Sequence, residues 1–592
     1  MKKLTLILIS LTLLMSQGYA QKQHTSLRDK VNQRKSVSYD EFVQNVNERY
    51  QAFRDSVNSR YAAMMERVWK GQPIKEAKKP PIEKELEPVF YDKEKDGQYL
   101  EEQKRLEAEK HLAEEKKKLE QDMKLLAEKI KKQEEQRKLF EQQKKEEELK
   151  KLQEEQKKQE ELQQQLEEKK RQQEEQERQL AEQKKKIEEE QSKPIEAVIV
   201  PMPEPKPQPE PIAPLPEEKV EPALTNSFSF YGTTIGINWG NASEFKLKGD
   251  DEKAFAAAYR ELTGSAYNQL LSGCLDIRNK YNLCDWAYYK MLERLSQAAC
   301  GKGTNEAVFL QGVLFSQSGY QMRFAYDDSH QLHLMSRING MAYNYNYYLA
   351  DGKLFFILDG SKPDKLYICD AMFDKEQDMD LDNAKLPVLT KDMSDNRLVA
   401  SNFVKLEAQT SVNKNMISFF NDYPISYSKD VVMKWYKYGN IAMTQELKDQ
   451  LYPQLKQKIK NAPKLMAANI LLSWVQFGLV YALDDKVWGY DRPFFAEETL
   501  YYPFADCEDR AIFFSQLVRD LLDLDVILVY NANPGHLYTG ICFDENVPGD
   551  YIWVNGRKFT IADPTYYGAN VGKTMSRMNN STANVLLLNK QR

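Results

Sequence analysis

The chain has 592 residues, 29% of them charged, and a net charge of −5. Such a length allows three or four domains. A balance this near neutral, with no strongly basic block, speaks against nucleic acid as a partner, because phosphate binding needs a positive face.

The first twenty residues, MKKLTLILISLTLLMSQGYA, join two lysines, an apolar run and a small-residue end at Ala20. That is the pattern of a secretory signal peptide over 1–20, cut after Ala20. The run is shorter than the roughly 20 residues of a membrane span, and an uncleaved anchor is the alternative. No cysteine stands near the cut site, and no later segment is apolar enough to span. The expectation is an exported protein, periplasmic or extracellular, with no integral membrane segment after signal removal.

Residues 21–96 repeat aromatic positions at helical spacing, Phe42, Tyr50, Phe53 and Tyr61, and predict one or two amphipathic helices. Residues 97–192 are almost entirely Glu, Lys, Gln, Arg and Leu. These strong helix formers, with Glu–Lys pairs three and four apart, predict a long charged helix. Leu112, Leu119 and Leu126 keep a heptad step, as do Leu166, Leu180 and Ile187 with a gap at Gln173, but the register slips between them. A coiled coil, through which the chain would self-associate, and a lone charged helix both stand as readings. At about 1.5 Å per residue the helix would reach on the order of 140 Å, which makes it a spacer. Residues 193–223 are proline-rich and predict a semi-stiff linker.

Residues 224–460 read as an α+β accessory domain and 461–592 as a catalytic core. Strand-like runs open the first, in SFSFYGTTIGIN, and helices follow at about 251–300. The helical run APKLMAANILLSWVQFGLVYAL leads into the second. Six cysteines, at 274, 284, 300, 369, 507 and 542, are too sparse for a disulfide framework, although a bridge among the first three is open. No CxxC pair or histidine cluster calls for zinc, and no organic cofactor or metal is implied. Beyond the N-terminal half only His330, His333 and His536 are available for Cys–His chemistry.

In YPFADCEDRAIFF, Cys507 opens a helix in which Ala511, Phe514, Leu517, Val518 and Leu521 follow helical periodicity. Unpaired N–H groups at a helix start favour a thiolate. Asp506 can cap that helix, but its charge, like those of Glu508 and Asp509, works against the thiolate. The strand VILVY follows, then NPGHLYTGICFD, where a turn places His536 at the start of an alternating strand. Two more strands in YIWVNGRKFTIADPTYYG end at Asp563. Nucleophile, base and orienting carboxylate thus occur in the order that covalent catalysis needs. Cys542 reads as core. Tyr501, Trp474 and Gln476 are upstream candidates for an oxyanion donor beside the Cys507 backbone N–H, each also explained by packing.

The stretches DCEDRAIFFSQLVRDL, NPGHLYTGICF and FTIADPTYYGA resemble the core motifs of the transglutaminase-like superfamily, which shares the papain-like fold. The resemblance covers about 460–575, and the wider 225–592 region is similar to large exported proteins of Bacteroidetes-type bacteria. It implies catalytic roles for Cys507, His536 and Asp563 and an α+β papain-like core. One departure is Asp506, where the family usually has a small residue.

TNEAVFLQGVLFSQSGYQMRFAY at 304–326 is similar to EDRAIFFSQLVRDLLDLDVILVY at 508–530. This alignment puts Gly303 in the place of Cys507 and His333 near that of His536, as in an internal duplication whose first copy lost its nucleophile; chance likeness of two amphipathic helices is the alternative. The expected function is acyl transfer at an amide through a Cys507 thioester, without metal or calcium, acting on a protein or peptide such as a cell-wall peptide. Water as acceptor makes a peptidase or amidase, and an amine makes a cross-linking transglutaminase. The rival is an inactive envelope binding or scaffold protein.

Overall fold

The computed structural model describes residues 39–67, 69–81, 87–91, 198–200, 202–203, 208–212, 226–264, 267–350, 352–369, 371 and 375–589. The predicted signal peptide, the charged stretch 97–192 and most of the proline-rich linker lie outside these residues. The fold is mixed α+β. In chain order its first part comprises α1 (Tyr39–Met65), β1 (Trp69–Pro73), β2 (Val89–Phe90), β3 (Val198–Ile199), β4 (Asn226–Phe230) and β5 (Thr233–Ile237). Helices α2 (Glu252–Leu262), α3 (Asn268–Lys280), α4 (Asp285–Cys300) and α5 (Asn305–Gln317) follow. Then come β6 (Met322–Asp327), β7 (Leu332–Arg337), β8 (Met341–Ala342), β9 (Tyr347–Ala350), β10 (Lys353–Ile357) and β11 (Lys365–Cys369).

The last part starts with β12 (Arg397–Ser401), β13 (Leu406–Thr410), α6 (Lys414–Asp422) and β14 (Ser426–Tyr427). It continues through α7 (Tyr436–Asn440), α8 (Gln445–Ile459), α9 (Lys464–Gly478), α10 (Asp484–Val487), α11 (Ala496–Tyr501) and α12 (Cys507–Leu522). It closes with β15 (Asp525–Ala532), β16 (Gly535–Cys542), β17 (Tyr551–Val554), β18 (Arg557–Ala562), β19 (Tyr566–Tyr567) and β20 (Asn584–Leu587).

Two six-stranded sheets carry the fold, ordered β9-β10-β7-β6-β11-β1 and β17-β18-β16-β15-β20-β3. Position by position the orders correspond. In each, a helix (α5 or α12) precedes and packs on a central antiparallel hairpin, and a second hairpin extends one side. One difference lies at the edge, where β1 runs antiparallel to β11 and β3 parallel to β20.

Strand β15 shows why both sheet faces are dry. Its residues alternate sides, as the pleat requires. Val526 and Leu528 point into the main core beneath α12. Ile527 and Val529 join Tyr538, Phe559, Ile561 and Val585 in a smaller core on the far face. The expected apolar/polar alternation of β16 is therefore absent: it is buried from Gly535 to Ile541. The β17–β18 turn uses Asn555 and Gly556, both at positive φ (50° and 70°), which suits the tight turn that a twisted hairpin favours. All six cysteines are free thiols.

Helix α1 belongs to this body. Its buried face carries Asn58, Tyr61, Ala62 and Met65 and packs on α2, with the Tyr61 ring 4.6 Å from that of Tyr259. Gln317 Nε2 donates to Asn58 Oδ1 and to the Tyr259 hydroxyl, each at 2.8 Å. The linker reading also changes for its described residues. Val198-Ile199-Val200, a β-branched run free of proline, pairs with β20, and Val200 is buried. Further on, Ile212 N donates to Gln317 O at 3.1 Å. On the near side of the charged stretch, β2 pairs with β19, and Phe90 stacks on Tyr567.

If α1 is integral, Tyr61→Ala should cost about 3–5 kcal/mol of unfolding free energy. Urea unfolding of the full chain measures this, and an unchanged midpoint would contradict the docking.

Candidate functional site

Helix α12 begins at Cys507 because Asp506 caps it. Asp506 is extended, and its carboxylate accepts from Asp509 N at 3.4 Å. Asp509 Oδ2 returns the bond by accepting from Asp506 N at 3.3 Å, which completes a capping box. The other Asp509 oxygen accepts from Phe494 N at 2.8 Å. Asp506, where the family resemblance leads one to expect a small residue, thus holds the helix start in place. Cys507 is the first helical residue, and its thiol donates to Glu508 Oε2 at 3.4 Å.

His536 is the second residue of β16, opposite Asn531 of β15. Its Nε2 lies 2.8 Å from Asp563 Oδ2. Asp563 Oδ1 accepts from Thr565 N and from Thr565 Oγ1, both at 2.8 Å. Burial pushes the Asp563 carboxyl up, but the facing imidazole and the Thr565 donors outweigh it and hold the group below its ordinary value. With Nε2–H given to the carboxylate, Nδ1 keeps the lone pair. Nδ1 is buried and has no hydrogen-bond partner among the described residues.

The structure therefore joins His536 to Asp563 and sets Cys507 at the start of the helix that packs on the histidine's strand. It does not hydrogen-bond the thiol to the imidazole. All three side chains are closed to solvent: Cys507, His536 and Asp563 are 1%, 2% and 3% exposed.

Two of the oxyanion candidates are occupied elsewhere. Gln476 Nε2 donates to the carbonyls of Asp563 (3.0 Å), Tyr566 (2.7 Å) and Ala569 (3.1 Å), so it clamps the loop that carries Asp563. Trp474 Nε1 donates to Val399 O at 3.1 Å. Tyr501 is half-buried beside Tyr502. A clamp that the motifs did not reveal is Arg510, wholly buried, which donates to the carbonyls of Ala505, Gln476 and Leu479. A charged residue inside an apolar helix run was the signal available for it.

Acidic side chains crowd the same helix start. Oxygens of Asp484, Asp506 and Glu508 lie within 4.8 Å of one another, and among the described residues this is the group able to hold a metal ion. Asp491 and Asp509 adjoin it. Lys434 Nζ meets Asp491 Oδ2 at 2.5 Å, and Arg492 is paired with Glu498 at 2.7 Å. Burial pushes Asp484 up to about 7, and Asp491 and Asp509 well above the usual carboxylate range.

The corresponding place in the other sheet has different chemistry. Thr304 caps α5, and the first helical residue is Asn305. The position matching Cys507 is thus Asn305 and not Gly303, which lies in the preceding turn at φ 77°. Asn305 Oδ1 accepts from Leu332 N at 2.8 Å, next to His333. His333 is second in β7, as His536 is in β16. Its Nδ1 meets Asp359 Oδ2 at 3.2 Å and Ser361 Oγ at 3.0 Å, and its Nε2 meets Asp327 at 3.3 Å. Ser361 N donates to Asp359 Oδ1 at 2.7 Å, repeating the Thr565–Asp563 contact. Both ring nitrogens of His333 are occupied, so this imidazole has no lone pair to offer a substrate.

Compared with known proteins, the chain matches no family model, no curated protein and no solved structure.

Removing the Asp563 carboxylate strips a buried imidazole and two Thr565 donors of their acceptor. Asp563→Ala should cost about 3–5 kcal/mol at pH 7. A depressed folded-state value means that this stability is complete above about pH 4, the unfolded value, and is lost as pH falls through the lower folded one. Urea titrations at pH 7 and pH 3 should show the gap between wild type and variant narrowing in acid.

Proposed function

We propose that this protein is an exported cysteine-dependent acyl-transfer enzyme acting on amide bonds, of the peptidase or amidase type, with a papain-like, transglutaminase-like core. The observation that carries the reading is the His536–Asp563 contact at 2.8 Å, which leaves Nδ1 as a buried, unpartnered base beside the strand-packed helix that Cys507 opens.

His536 Nδ1 takes the Cys507 proton, and Asp563 stabilises the imidazolium that forms. The thiolate attacks the amide carbonyl carbon. The tetrahedral intermediate collapses as the imidazolium protonates the leaving amine, which leaves a Cys507 thioester. Water, deprotonated by Nδ1, attacks the thioester and releases the acid and the thiol. An amine in place of water would give cross-linking by the same steps. Substrate must be a protein or peptide, with cell-wall peptide as one class. In the conformation described the thiol is closed, so substrate entry requires movement around the α12 start.

That closure favours a second reading. A thiol 1% exposed and hydrogen-bonded to the Glu508 carboxylate suits a binding or scaffold protein of the envelope whose triad is a relic.

Site-resolved alkylation by iodoacetamide across pH decides between them. The enzyme reading expects Cys507 to label well below pH 8, with His536→Ala restoring an ordinary thiol profile centred on about 8.5. Slow labelling with an ordinary profile in both proteins would sink it.

A further inference from the structure

We propose that the cavity beside α7 is a binding site for a neutral sugar ring, a monosaccharide unit that is free or ends a glycan. The cavity has a volume of about 110 Å3 and lies where the loop between β8 and β9 meets the end of α6, α7 and the segment leading into α11. Its buried walls include Phe420, Tyr423 and Tyr438. Tyr345 and Tyr490, both half-buried, stand at the mouth with the exposed side chains of Asn344 and Asn421. Sites for drug-sized ligands run to roughly 300–1,000 Å3. This one is smaller and open on one side, which suits a single ring whose substituents reach the mouth.

A buried hydroxyl points to a ligand. Tyr438 is 2% exposed, yet its hydroxyl forms no hydrogen bond among the described residues and is open to the cavity that the side chain lines. Tyr423, on the same wall, shows the usual arrangement: its hydroxyl donates to Leu381 O at 3.1 Å. The hydroxyls of Tyr345 and Tyr490 are without hydrogen-bond partners too. Burial pushes the Tyr345 and Tyr438 phenols up, so both stay neutral donors. A polar group taken from water and left unpaired is costly unless something arrives to meet it.

The class of ligand follows from what the walls have left to give, because their charges are already spent. Arg492 Nη2 donates to Glu498 Oε1 at 2.7 Å and to Asn421 Oδ1 at 2.6 Å, and Glu498 Oε2 accepts from Phe495 N at 3.0 Å. Asp422, also at the mouth, accepts from the Tyr231 hydroxyl at 2.5 Å and meets Lys290 Nζ at 3.5 Å. Neutral groups remain: the hydroxyls of Tyr345, Tyr438 and Tyr490, and the amides of Asn344 and Asn421. Tyr490 also stacks on no other ring among the described residues. Neutral donors and acceptors around a free aromatic face match a pyranose, whose hydroxyls pair with them while its C–H face packs on the ring. An anion would call for an unpaired guanidinium, and a cation for an uncompensated carboxylate. None of the lining residues belongs to the Cys507, His536 and Asp563 set, and the inference does not rest on the acyl-transfer reading.

Saturation-transfer NMR on the purified full chain tests the site. The probes are glucose, galactose, mannose and N-acetylglucosamine, the disaccharides cellobiose and chitobiose, and tetramethylammonium as the cationic control. Saturable transfer to at least one sugar is expected. Tyr438→Phe should weaken it by about threefold to tenfold while leaving Tm unchanged, since the hydroxyl makes no internal bond. Tyr490→Ala should weaken it as well. Equal binding of a sugar and its disaccharide would assign the site to a lone unit, and tighter binding of the disaccharide to a glycan end; both uphold it. Silence from every sugar would overturn the proposal, and transfer to tetramethylammonium alone would replace it with a cation cage. Sugar binding unchanged in both variants would place the ligand elsewhere and also overturn it. His536→Ala should leave sugar binding intact, so a failed alkylation test and a failed sugar test are told apart.

Discussion

Helix α12 has no solvent face, and the surrounding structure is arranged to satisfy that constraint. From Cys507 to Arg519 every residue is buried, including two arginines, a glutamine and two acids. A polar group taken out of water must find a partner inside. Arg510 holds three carbonyls of the α9–α11 connection and the cap. Gln516 and Arg519 reach the carbonyls of Ile441 and Gly439, which ties the segment after α7 to the helix. At its start the Asp509 carboxylate takes the Phe494 N–H, which ties the segment before α11 to the helix. Chain segments far apart in sequence are thus fixed by polar contacts to one element.

Much of the site was legible locally. Helix start, hairpin and final strand pair were readable as Cys507, His536 and Asp563 because capping, helical periodicity and the turn before His536 are short-range signals. The companions were not. Gln476, a candidate donor from sequence, turned out to clamp the Asp563 loop from almost ninety residues upstream. Asp484, which opens the short helix α10, and Asp491, which follows it, carry no sequence pattern that points to the start of α12. Periodicity marked one apolar face on α12 but could not show that the opposite face is buried too, since that depends on the packing of α9, α11 and the sheet.

Fold class was readable as α+β, and helix–strand–strand likeness between 304–326 and 508–530 was visible by eye. The matching order of all six strands in each sheet was not, because β1 and β3 come from segments that read as an N-terminal helical region and a linker. The two-residue offset between Gly303 and Asn305 has a physical source: a helix start is set by its cap, Thr304, and not by the best alignment of apolar residues. The chemical contrast between the halves then comes down to one nitrogen. His333 has acceptors or a hydroxyl on both sides, whereas His536 keeps Nδ1 unoccupied.

The strands that flank the charged stretch sit in particular places. β2 leaves the body from β19, directly after the Asp563–Thr565 turn, and β3 rejoins it on β20, the neighbour of β15 and so one strand removed from His536. Tension applied between β2 and β3 would therefore be delivered at β19 and β20, in the part of the chain that carries the imidazole–carboxylate pair. A pull strong enough to peel either short strand would act first on the part that carries His536 and Asp563, while β1, paired in the other sheet, and α1, packed on α2, would stay in place.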